Sequence, residues 1–251
     1  MKKWVMTKTL MTKNSSIAII ITAAGSSTRM GGSTKKEYLP YKNGTVLSNS
    51  AKTFLNTCLN NYMLTDFIVT CPKGGINESQ KILEQDKELT QLLKACAVDI
   101  QIVEGAQTRQ ASVFNALKAV KGNPSIVLIH DGARPFITAQ LITDGISTAF
   151  EYGASVPGVT PTDTQKRIDE NGFIVEHLVR SGLAAVQTPQ CFNYEMLLAA
   201  HKKASDDNYE YTDDTEIWGK YYSEKPVKVY TGDVNNIKIT YPSDLQTLEK
   251  K

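Results

Sequence analysis

The sequence of 251 residues has no long apolar run and no strong excess of charge of either sign. No run approaches the roughly 18 apolar residues that a membrane-spanning helix requires. Residues 1–16 contain lysines but no apolar segment of the signal-peptide type. The formal net charge of +2 is too close to neutral to favour nucleic acid as a partner. We therefore expect a cytoplasmic protein that binds neither membrane nor nucleic acid.

Cysteine is also scarce, and its spacing excludes the common metal-binding patterns. The four cysteines show no C-x-x-C pair, so we interpret them as reduced and mostly buried thiols: Cys58, Cys71, Cys96 and Cys191. The length suits one sizeable α/β domain. We expect that domain to span residues 17–251, with residues 1–16 as a flexible extension.

Two common phosphate-binding fingerprints are missing, G-x-G-x-x-G and the Walker A loop. The first absence argues against a dinucleotide-dependent dehydrogenase. In their place, the apolar residues 17–21 predict a short buried strand, and small residues follow it directly: Ala23, Ala24, Gly25 and Ser26. Small side chains let phosphate oxygens approach main-chain N–H groups, and Gly25 can adopt a positive φ if the turn needs it.

Fixed positive charge follows this loop. Arg29 is the first candidate for a triphosphate, because its planar guanidinium pairs with phosphate in a bidentate manner. Lys36 is the second candidate, for charge at the α-phosphate and the leaving pyrophosphate, whereas we interpret Lys35 as a solvated surface charge. A strand, a loop of small residues and cations together predict a nucleoside triphosphate site.

Strands and helices are predicted to alternate along most of the chain. Strands are predicted at 67–71, 100–103, 125–129, 154–159 and 227–231, and helices at 46–56, 78–94, 138–152 and 193–204. This order predicts an α/β fold with a doubly wound, mostly parallel, Rossmann-like sheet. Ligands bind such sheets at the carboxyl ends of the strands, where the loops after residues 21, 103 and 129 carry polar motifs.

Two segments interrupt this alternation. Asn171–Gly172 lies between two short β-like runs and predicts a hairpin arm within about residues 160–182. A hairpin has little core of its own, so we expect it to pack on something else. The second segment, residues 205–215, is a polar stretch.

Several motifs together resemble one known family. The stretch A-A-G-S-S-T-R-M-G at 23–31, followed by K-K at 35–36, resembles the signature of sugar-phosphate nucleotidyltransferases, and more narrowly that of the 2-C-methyl-D-erythritol 4-phosphate cytidylyltransferase family. Further matches follow in order: G-A-Q-T-R-Q-A-S at 105–112, H-D-G-A-R-P at 130–135, D-T-Q-K-R at 163–167, R-S-G-L at 180–183, Q-T-P-Q at 187–190, T-D-D at 212–214 and N-I-K-I-T at 236–240. Two departures are Ser27, where the family often has Gly, and Lys35, where it usually has Pro.

The resemblance implies a role for each matching residue. It implies catalytic roles for Arg29, Lys36 and Lys238, and nucleotide contacts for Ala23, Ala24, Gly25, Ser26, Ala106, Gln107, Arg109, Ser112 and Gly132. It implies substrate contacts for Arg134, Thr164, Arg180, Thr188 and Lys238, although Arg134 could equally hold its loop. Asp131 follows a strand and is the candidate ligand for Mg²⁺, with a turn or capping role as the alternative. His130 is interpreted as structural.

The function implied by the resemblance is transfer of a cytidylyl group from CTP to 2-C-methyl-D-erythritol 4-phosphate, a polyol phosphate, in non-mevalonate isoprenoid synthesis. The products are the CDP-linked alcohol and pyrophosphate, and the cofactor is Mg²⁺ or another divalent cation. A homodimer is implied, in which the 160–182 arm completes the partner's site. One alternative is ribitol-5-phosphate cytidylyltransferase. Another is a non-catalytic nucleotide-binding regulatory module, against which the presence of Arg29, Lys36, Asp131 and Lys238 counts.

Overall fold

The structure is a computed structural model, and it describes residues 15–31, 35–59, 61–207 and 209–250. The predicted extension, residues 1–16, therefore lies outside the described residues apart from its last two. Ser16 already belongs to the first strand, so regular structure begins one residue before the predicted domain boundary. No helix in these four ranges is both long enough and apolar enough to cross a membrane.

Twelve strands and eight α-helices are present in the described ranges. The strands are β1 Ser16–Thr22, β2 Pro40–Tyr41, β3 Gly44–Thr45, β4 Met63–Cys71, β5 Ile100–Glu104, β6 Ile126–Asp131, β7 Ala154–Val159, β8 Lys166–Ile168, β9 Ile174–His177, β10 Ala185–Val186, β11 Gln190–Asn193 and β12 Lys228–Thr231. The helices are α1 Val46–Cys58, α2 Ile76–Glu84, α3 Lys87–Ala95, α4 Arg109–Ala119, α5 Ala139–Tyr152, α6 Tyr194–Ala204, α7 Asp214–Tyr221 and α8 Leu245–Lys250.

The main sheet has the order β10-β7-β11-β6-β1-β4-β5, with β12 paired to β7. The central neighbours β6, β1, β4 and β5 are all parallel, whereas β11 runs antiparallel between β6 and β7. The prediction of a doubly wound, mostly parallel α/β sheet is therefore confirmed. The loops that follow β1 and β5 lie at the same edge of the sheet as the end of β6.

Strand β1 lies at the centre because both of its faces are apolar. One face, Ile17, Ile19 and Ile21, packs with residues of α1 and α5. The other face, Ala18 and Ile20, packs with residues of α4 and with Phe192 and Trp218. All five of these strand residues are fully buried, which removes apolar surface from water on both sides and fixes the loop that follows.

One prediction of local structure is wrong. The helix predicted over 78–94 is two helices, because Asp86 caps α3 by accepting a hydrogen bond from the Leu89 N–H at 3.1 Å. The polar stretch 205–215 contains the start of α7, where Asp213 accepts a hydrogen bond from the Glu216 N–H at 2.9 Å. An Asp followed three residues later by Glu is a helix-start signal.

The predicted hairpin is present as the antiparallel pair β8 and β9. Gly172 has a φ of 85°, and Asp169 Oδ1 accepts the N–H groups of Asn171 and Phe173 at 3.0 and 2.9 Å, so this carboxylate and the glycine together form the turn. Several large apolar side chains of this segment are exposed in the monomer: Ile168, Phe173 (70% exposed), Ile174, Val175 and Val179.

Candidate active site

A cleft of about 660 Å³ lies at the carboxyl edge of the parallel strands. Thr22 ends β1, Thr70 lies near the end of β4, Ala106 follows β5, and Asp131 ends β6. The cleft is therefore formed by the ends of four neighbouring strands, as expected for a doubly wound sheet.

Most of the predicted site residues line this cleft. They are Ala24, Gly25, Ser26, Arg29, Lys36, Ala106, Gln107, Arg109, Ser112, Asp131 and Lys238. Among the described residues, six predicted site residues do not line it: Ala23, Gly132, Arg134, Thr164, Arg180 and Thr188. The other residues that line the cleft were not predicted from the sequence: Thr22, Ser27, Thr28, Lys35, Glu37, Thr70, Pro72, Lys73, Thr108, Ala133 and Thr240.

Some of these missed residues carry a signal that was available in the sequence. Thr70, Pro72 and Lys73 lie at the carboxyl end of β4. The rule that places ligands at strand ends applies to this loop as it does to the loops after β1, β5 and β6. The predicted strand at 67–71 therefore already pointed to Lys73 as a cation of the cleft.

The small-residue loop does not use its glycine for the left-handed conformation. Ser27 has a φ of 54°, whereas Gly25 lies outside the left-handed region. This explains why Gly would suit position 27, since Gly adopts a positive φ without steric cost. At Gly25 an added Cβ would meet nothing within 4 Å, so the main chain there is open to the cleft.

The cleft carries an excess of positive charge. Two carboxylates, Glu37 and Asp131, face six cations: Arg29, Lys35, Lys36, Lys73, Arg109 and Lys238. Such a set of cations suits a polyphosphate, because charge-assisted hydrogen bonds to phosphate are among the strongest polar contacts that a protein makes.

Lysines 35 and 36 are both part of the cleft. The interpretation of Lys35 as a solvated surface charge is wrong, because its Nζ donates to the carbonyl of Gly25 across the loop. Lys36 is buried, and burial lowers the pKa of its ammonium group. The guanidinium carbon of Arg29 lies 5.8 Å from the ring centre of Tyr241.

Asp131 is held by cations on one of its two oxygens. Oδ2 lies 2.9 Å from the Nζ of Lys238 and accepts from the Nε of Arg134 at 3.4 Å. Oδ1 has a long contact of 3.5 Å with the Thr22 hydroxyl. Burial would raise the pKa of this carboxyl, but the neighbouring cations, Lys238 foremost, outweigh it and hold the pKa well below its usual range. The side chain therefore stays ionised.

Thr188 lies beneath the cleft and orients Asp131. Its hydroxyl accepts the Asp131 N–H at 3.1 Å and lies 3.0 Å from the Nδ1 of His130. Thr188 is buried, and in the structure its hydroxyl makes these two contacts beneath the cleft. His130 is fully buried, and burial lowers its pKa to about 4, so the ring is neutral near pH 7 and structural, as interpreted from the sequence.

Three other predicted contacts also support the cleft from below. The Gly132 N–H donates to the Thr22 carbonyl at 2.9 Å, which joins the ends of β1 and β6. The Ala23 N–H donates to the Thr70 hydroxyl at 3.1 Å. Arg134 donates from NH1 to the Asn236 carbonyl at 2.7 Å, so of its two predicted roles the structure shows the one that holds a loop. That loop brings Lys238 to Asp131.

The far side of the cleft is formed by the β5 loop and α4. The Ser112 hydroxyl accepts the Ala106 N–H at 2.9 Å and donates to the Thr108 carbonyl at 2.8 Å, which fixes the loop. A Cβ added to Gly105 would lie 2.3 Å from the Cβ of Ala24, so the two loops are in close contact and position 105 requires glycine.

Arg109 is fixed by an ion pair that the sequence did not reveal. Its NH2 lies 2.7 Å from Oδ2 of the fully buried Asp214, whose Oδ1 lies 2.9 Å from the Nε2 of His201. Burial would lower the pKa of Arg109, but Asp214 raises it above the usual value, so the guanidinium stays charged. The T-D-D motif marked this aspartate, but nothing in the motif identifies Arg109 as its partner.

Thr164 and Arg180 lie on the arm and are exposed. Arg180 donates from NH1 to the Thr162 carbonyl at 2.6 Å, within the arm itself. The described chain therefore does not bring these two predicted substrate contacts to its own cleft.

The class of protein follows from this geometry. A mostly parallel α/β sheet carries, at its carboxyl edge, an open small-residue loop between clustered cations and a single ionised aspartate at the end of a neighbouring strand. These features define a nucleotide-binding α/β protein of the nucleotidyltransferase class.

The chain belongs to the 2-C-methyl-D-erythritol 4-phosphate cytidylyltransferase family, and the family resemblance noted in the sequence is confirmed. The family model described as "IspD: 2-C-methyl-D-erythritol 4-phosphate cytidylyltransferase" matches residues 17–250. The relative of that name from Clostridium novyi (strain NT) is 44% identical over 239 residues, covering 94% of each chain. One from Clostridium botulinum (strain 657 / Type Ba4) is 39% identical over 244 residues, covering 96% of this chain and 99% of the relative.

Solved structures show the same fold. The crystal structure of 4-diphosphocytidyl-2C-methyl-D-erythritol synthase from Anaerococcus prevotii DSM 20548 is similar with a TM-score of 0.77 at 27% identity, covering 93% of this chain and 94% of that chain. That of 2-C-methyl-D-erythritol 4-phosphate cytidylyltransferase from Thermus thermophilus has a TM-score of 0.70 at 28% identity, covering 93% and 97%.

Proposed function

We propose that this chain transfers a cytidylyl group from CTP to 2-C-methyl-D-erythritol 4-phosphate and releases pyrophosphate, in non-mevalonate isoprenoid precursor synthesis. The observation that carries the proposal is the set of cations that lines the cleft beside the open small-residue loop and Asp131. Arg29 and Lys36 accompany the open small-residue loop after β1, and Lys238 pairs with Asp131 at the end of β6. The names of the relatives indicate the same reaction.

The chemistry needs charge neutralisation and alignment rather than a covalent intermediate. An oxygen of the acceptor phosphate attacks the α-phosphorus of CTP, and the bond to pyrophosphate breaks. Both reactants are anions, so cations must hold them together. In this proposal Arg29 and Lys36 bind the triphosphate and stabilise the charge on the departing pyrophosphate, and Lys238 helps hold the attacking phosphate.

The donor atoms of the cleft suit a divalent cation held mainly by substrate. No group of three or more His, Cys, Asp or Glu side chains able to hold a metal is found within residues 15–31, 35–59, 61–207 and 209–250. Asp131 is ionised, and its Oδ1 has only the long contact to Thr22 in the structure described. Mg²⁺ commonly binds one or two carboxylates and completes its shell with phosphates and water. We propose Asp131 as the protein ligand of Mg²⁺, which neutralises phosphate charge.

The metal proposal gives a titration experiment. Asp131→Asn should raise the Mg²⁺ concentration needed for half-maximal rate by about tenfold, because an amide oxygen is a weaker ligand for a hard cation. Pyrophosphate release measured against Mg²⁺ checks this, with the exposed Asp99→Asn as the matched control. A lower rate with an unchanged metal titration would mean that Asp131 only anchors Lys238 and Arg134.

We also propose a homodimer in which the 160–182 arm docks on a second copy of the chain. Its exposed apolar side chains, Phe173 and Val179 among them, have no cover in the described monomer. An isolated hairpin is marginally stable in water, so a partner surface would explain how this one stays folded. The two-fold symmetry of a dimer would then carry Thr164 and Arg180 to the partner's cleft.

The proposed activity is tested by pyrophosphate release from CTP with each acceptor in turn. We expect release with 2-C-methyl-D-erythritol 4-phosphate and at least about tenfold less with ribitol 5-phosphate, the difference that 1.4 kcal/mol of selective binding produces. Release with ribitol 5-phosphate alone would support the other cytidylyltransferase. Binding of CTP without release from either acceptor would support the regulatory module.

A further inference from the structure

Glu37 is a buried carboxylate inside a cleft for phosphates. The residue is 3% exposed, and its side chain lines the cleft next to Lys36. Burial raises the pKa of this carboxyl. A negative charge here opposes polyphosphate binding, and the proposed reaction assigns no function to this carboxylate.

Its contact with the small-residue loop suggests a role. Glu37 Oε2 accepts a hydrogen bond from the Ser27 hydroxyl at 3.3 Å. Ser27 is the residue of the loop in the left-handed conformation, which is disfavoured for a residue other than glycine. A hydrogen bond from its side chain to a fixed partner is a direct way to hold it there.

The segment that carries Glu37 is itself anchored to the same loop. Lys35 donates to the Gly25 carbonyl, and residues 36–38 form one short 3₁₀ turn closed by the Tyr38 N–H on the Lys35 carbonyl at 2.9 Å. The turn therefore contacts the loop at Gly25 and at Ser27, and Lys36 lies between these two contacts. Arg29 follows Ser27 by two residues on the same loop.

We propose that Glu37 is a positioning residue for the nucleotide, which acts through Ser27. Its carboxylate holds the loop 25–29 in the shape that presents the open main chain and Arg29 to the triphosphate. This inference rests on the proposed function, because it assigns the loop to CTP. It concerns CTP and not the acceptor, since the acceptor phosphate is assigned to Lys238, which pairs with Asp131 at the end of β6.

CTP binding by variants that lack the Glu37 charge distinguishes a positioning role from that of a merely nearby negative charge. If Glu37 were only a nearby negative charge, Glu37→Ala and Glu37→Gln would both tighten the binding of Mg²⁺–CTP. If it positions the loop, Glu37→Ala should weaken binding of CTP and raise the KM for CTP by about tenfold, whereas Glu37→Gln keeps an acceptor oxygen for Ser27 and should recover most of the loss. The KM for the acceptor should change less than about twofold in both variants.

A double-mutant cycle with Ser27→Ala tests whether Glu37 acts on CTP binding through Ser27. Ser27→Ala should also weaken CTP binding, and Ser27→Ala combined with Glu37→Ala should cost no more than the larger single change, because both remove the same contact. Binding is measured by titrating Mg²⁺–CTP without acceptor, so the result does not depend on turnover. Glu224→Gln, at an exposed position, is the matched control.

Two results would overturn the proposal: tighter CTP binding in both Glu37 variants, or effects of Ser27→Ala and Glu37→Ala that multiply. Thermal unfolding identifies a variant that fails to fold, in which case Ser27→Ala and Glu37→Gln, which remove the least volume, decide the question. Failure of the proposed function would show differently, as absent pyrophosphate release by the unaltered chain.

Discussion

Arg29→Ala and Lys36→Ala should each lower turnover by about 10²–10³-fold, the cost of losing one preorganised donor to a transition state. Negative charge on the leaving pyrophosphate grows as its bond to the α-phosphorus breaks, so these cations act most strongly at that point. The KM for CTP should change much less than kcat. Pyrophosphate release under saturating CTP and acceptor measures the effect.

Conservative changes sharpen this test. Arg29→Lys keeps the charge but loses the planar pair of donors, so its turnover should lie between those of the unaltered chain and Arg29→Ala. Lys36 is buried, so Lys36→Ala removes packed volume, whereas Lys36→Gln retains most of that volume and removes the charge. Lys42→Ala, at an exposed position outside the cleft, is the control. Near-normal turnover in a chain that lacks both Arg29 and Lys36 would contradict the assignment of this loop to chemistry.

The central part of the fold and site could be predicted because its signals are local. Residues 17–21 are apolar on both faces, which is typical of a buried central strand, and the small residues and Arg29 follow at once. Strand ends of a parallel sheet meet at one edge, so Asp131 could be placed beside this loop although 102 residues separate it from Arg29.

The remaining parts depend on contacts between distant segments. Arg109 pairs with Asp214 across 105 positions, and Thr188 orients Asp131 across 57. A threonine in a Q-T-P-Q motif has the same local sequence whether its hydroxyl faces substrate or a strand end. The break at Asp86 differs, because its cap on the Leu89 N–H is local; distant contacts to Ser48 at 2.8 Å and Lys52 at 3.0 Å, both on α1, add to it.

Subunit mixing should restore activity between two inactive variants. Arg180→Ala and Lys238→Ala should each leave the acceptor phosphate short of one cation and lower turnover by about 10²-fold or more. If each cleft takes Lys238 from one chain and Arg180 from the other, a mixed dimer has one intact site and one site with both changes. Random exchange makes about half of the dimers mixed, so about a quarter of the unaltered activity should return.

A second mixture separates shared sites from sites within one chain. A chain carrying both Arg180→Ala and Lys238→Ala is mixed in equal amounts with the unaltered chain, with exchange verified by mass. If sites are shared, every mixed dimer is inactive, and about a quarter of the activity of the same total concentration of unaltered chain remains. If each chain builds its own site, about half remains. Shared sites therefore require both results: activity restored in the first mixture, and about a quarter of the activity retained in the second. An arm position and a sheet-edge position can complement each other between chains only when the arm crosses to the partner's cleft.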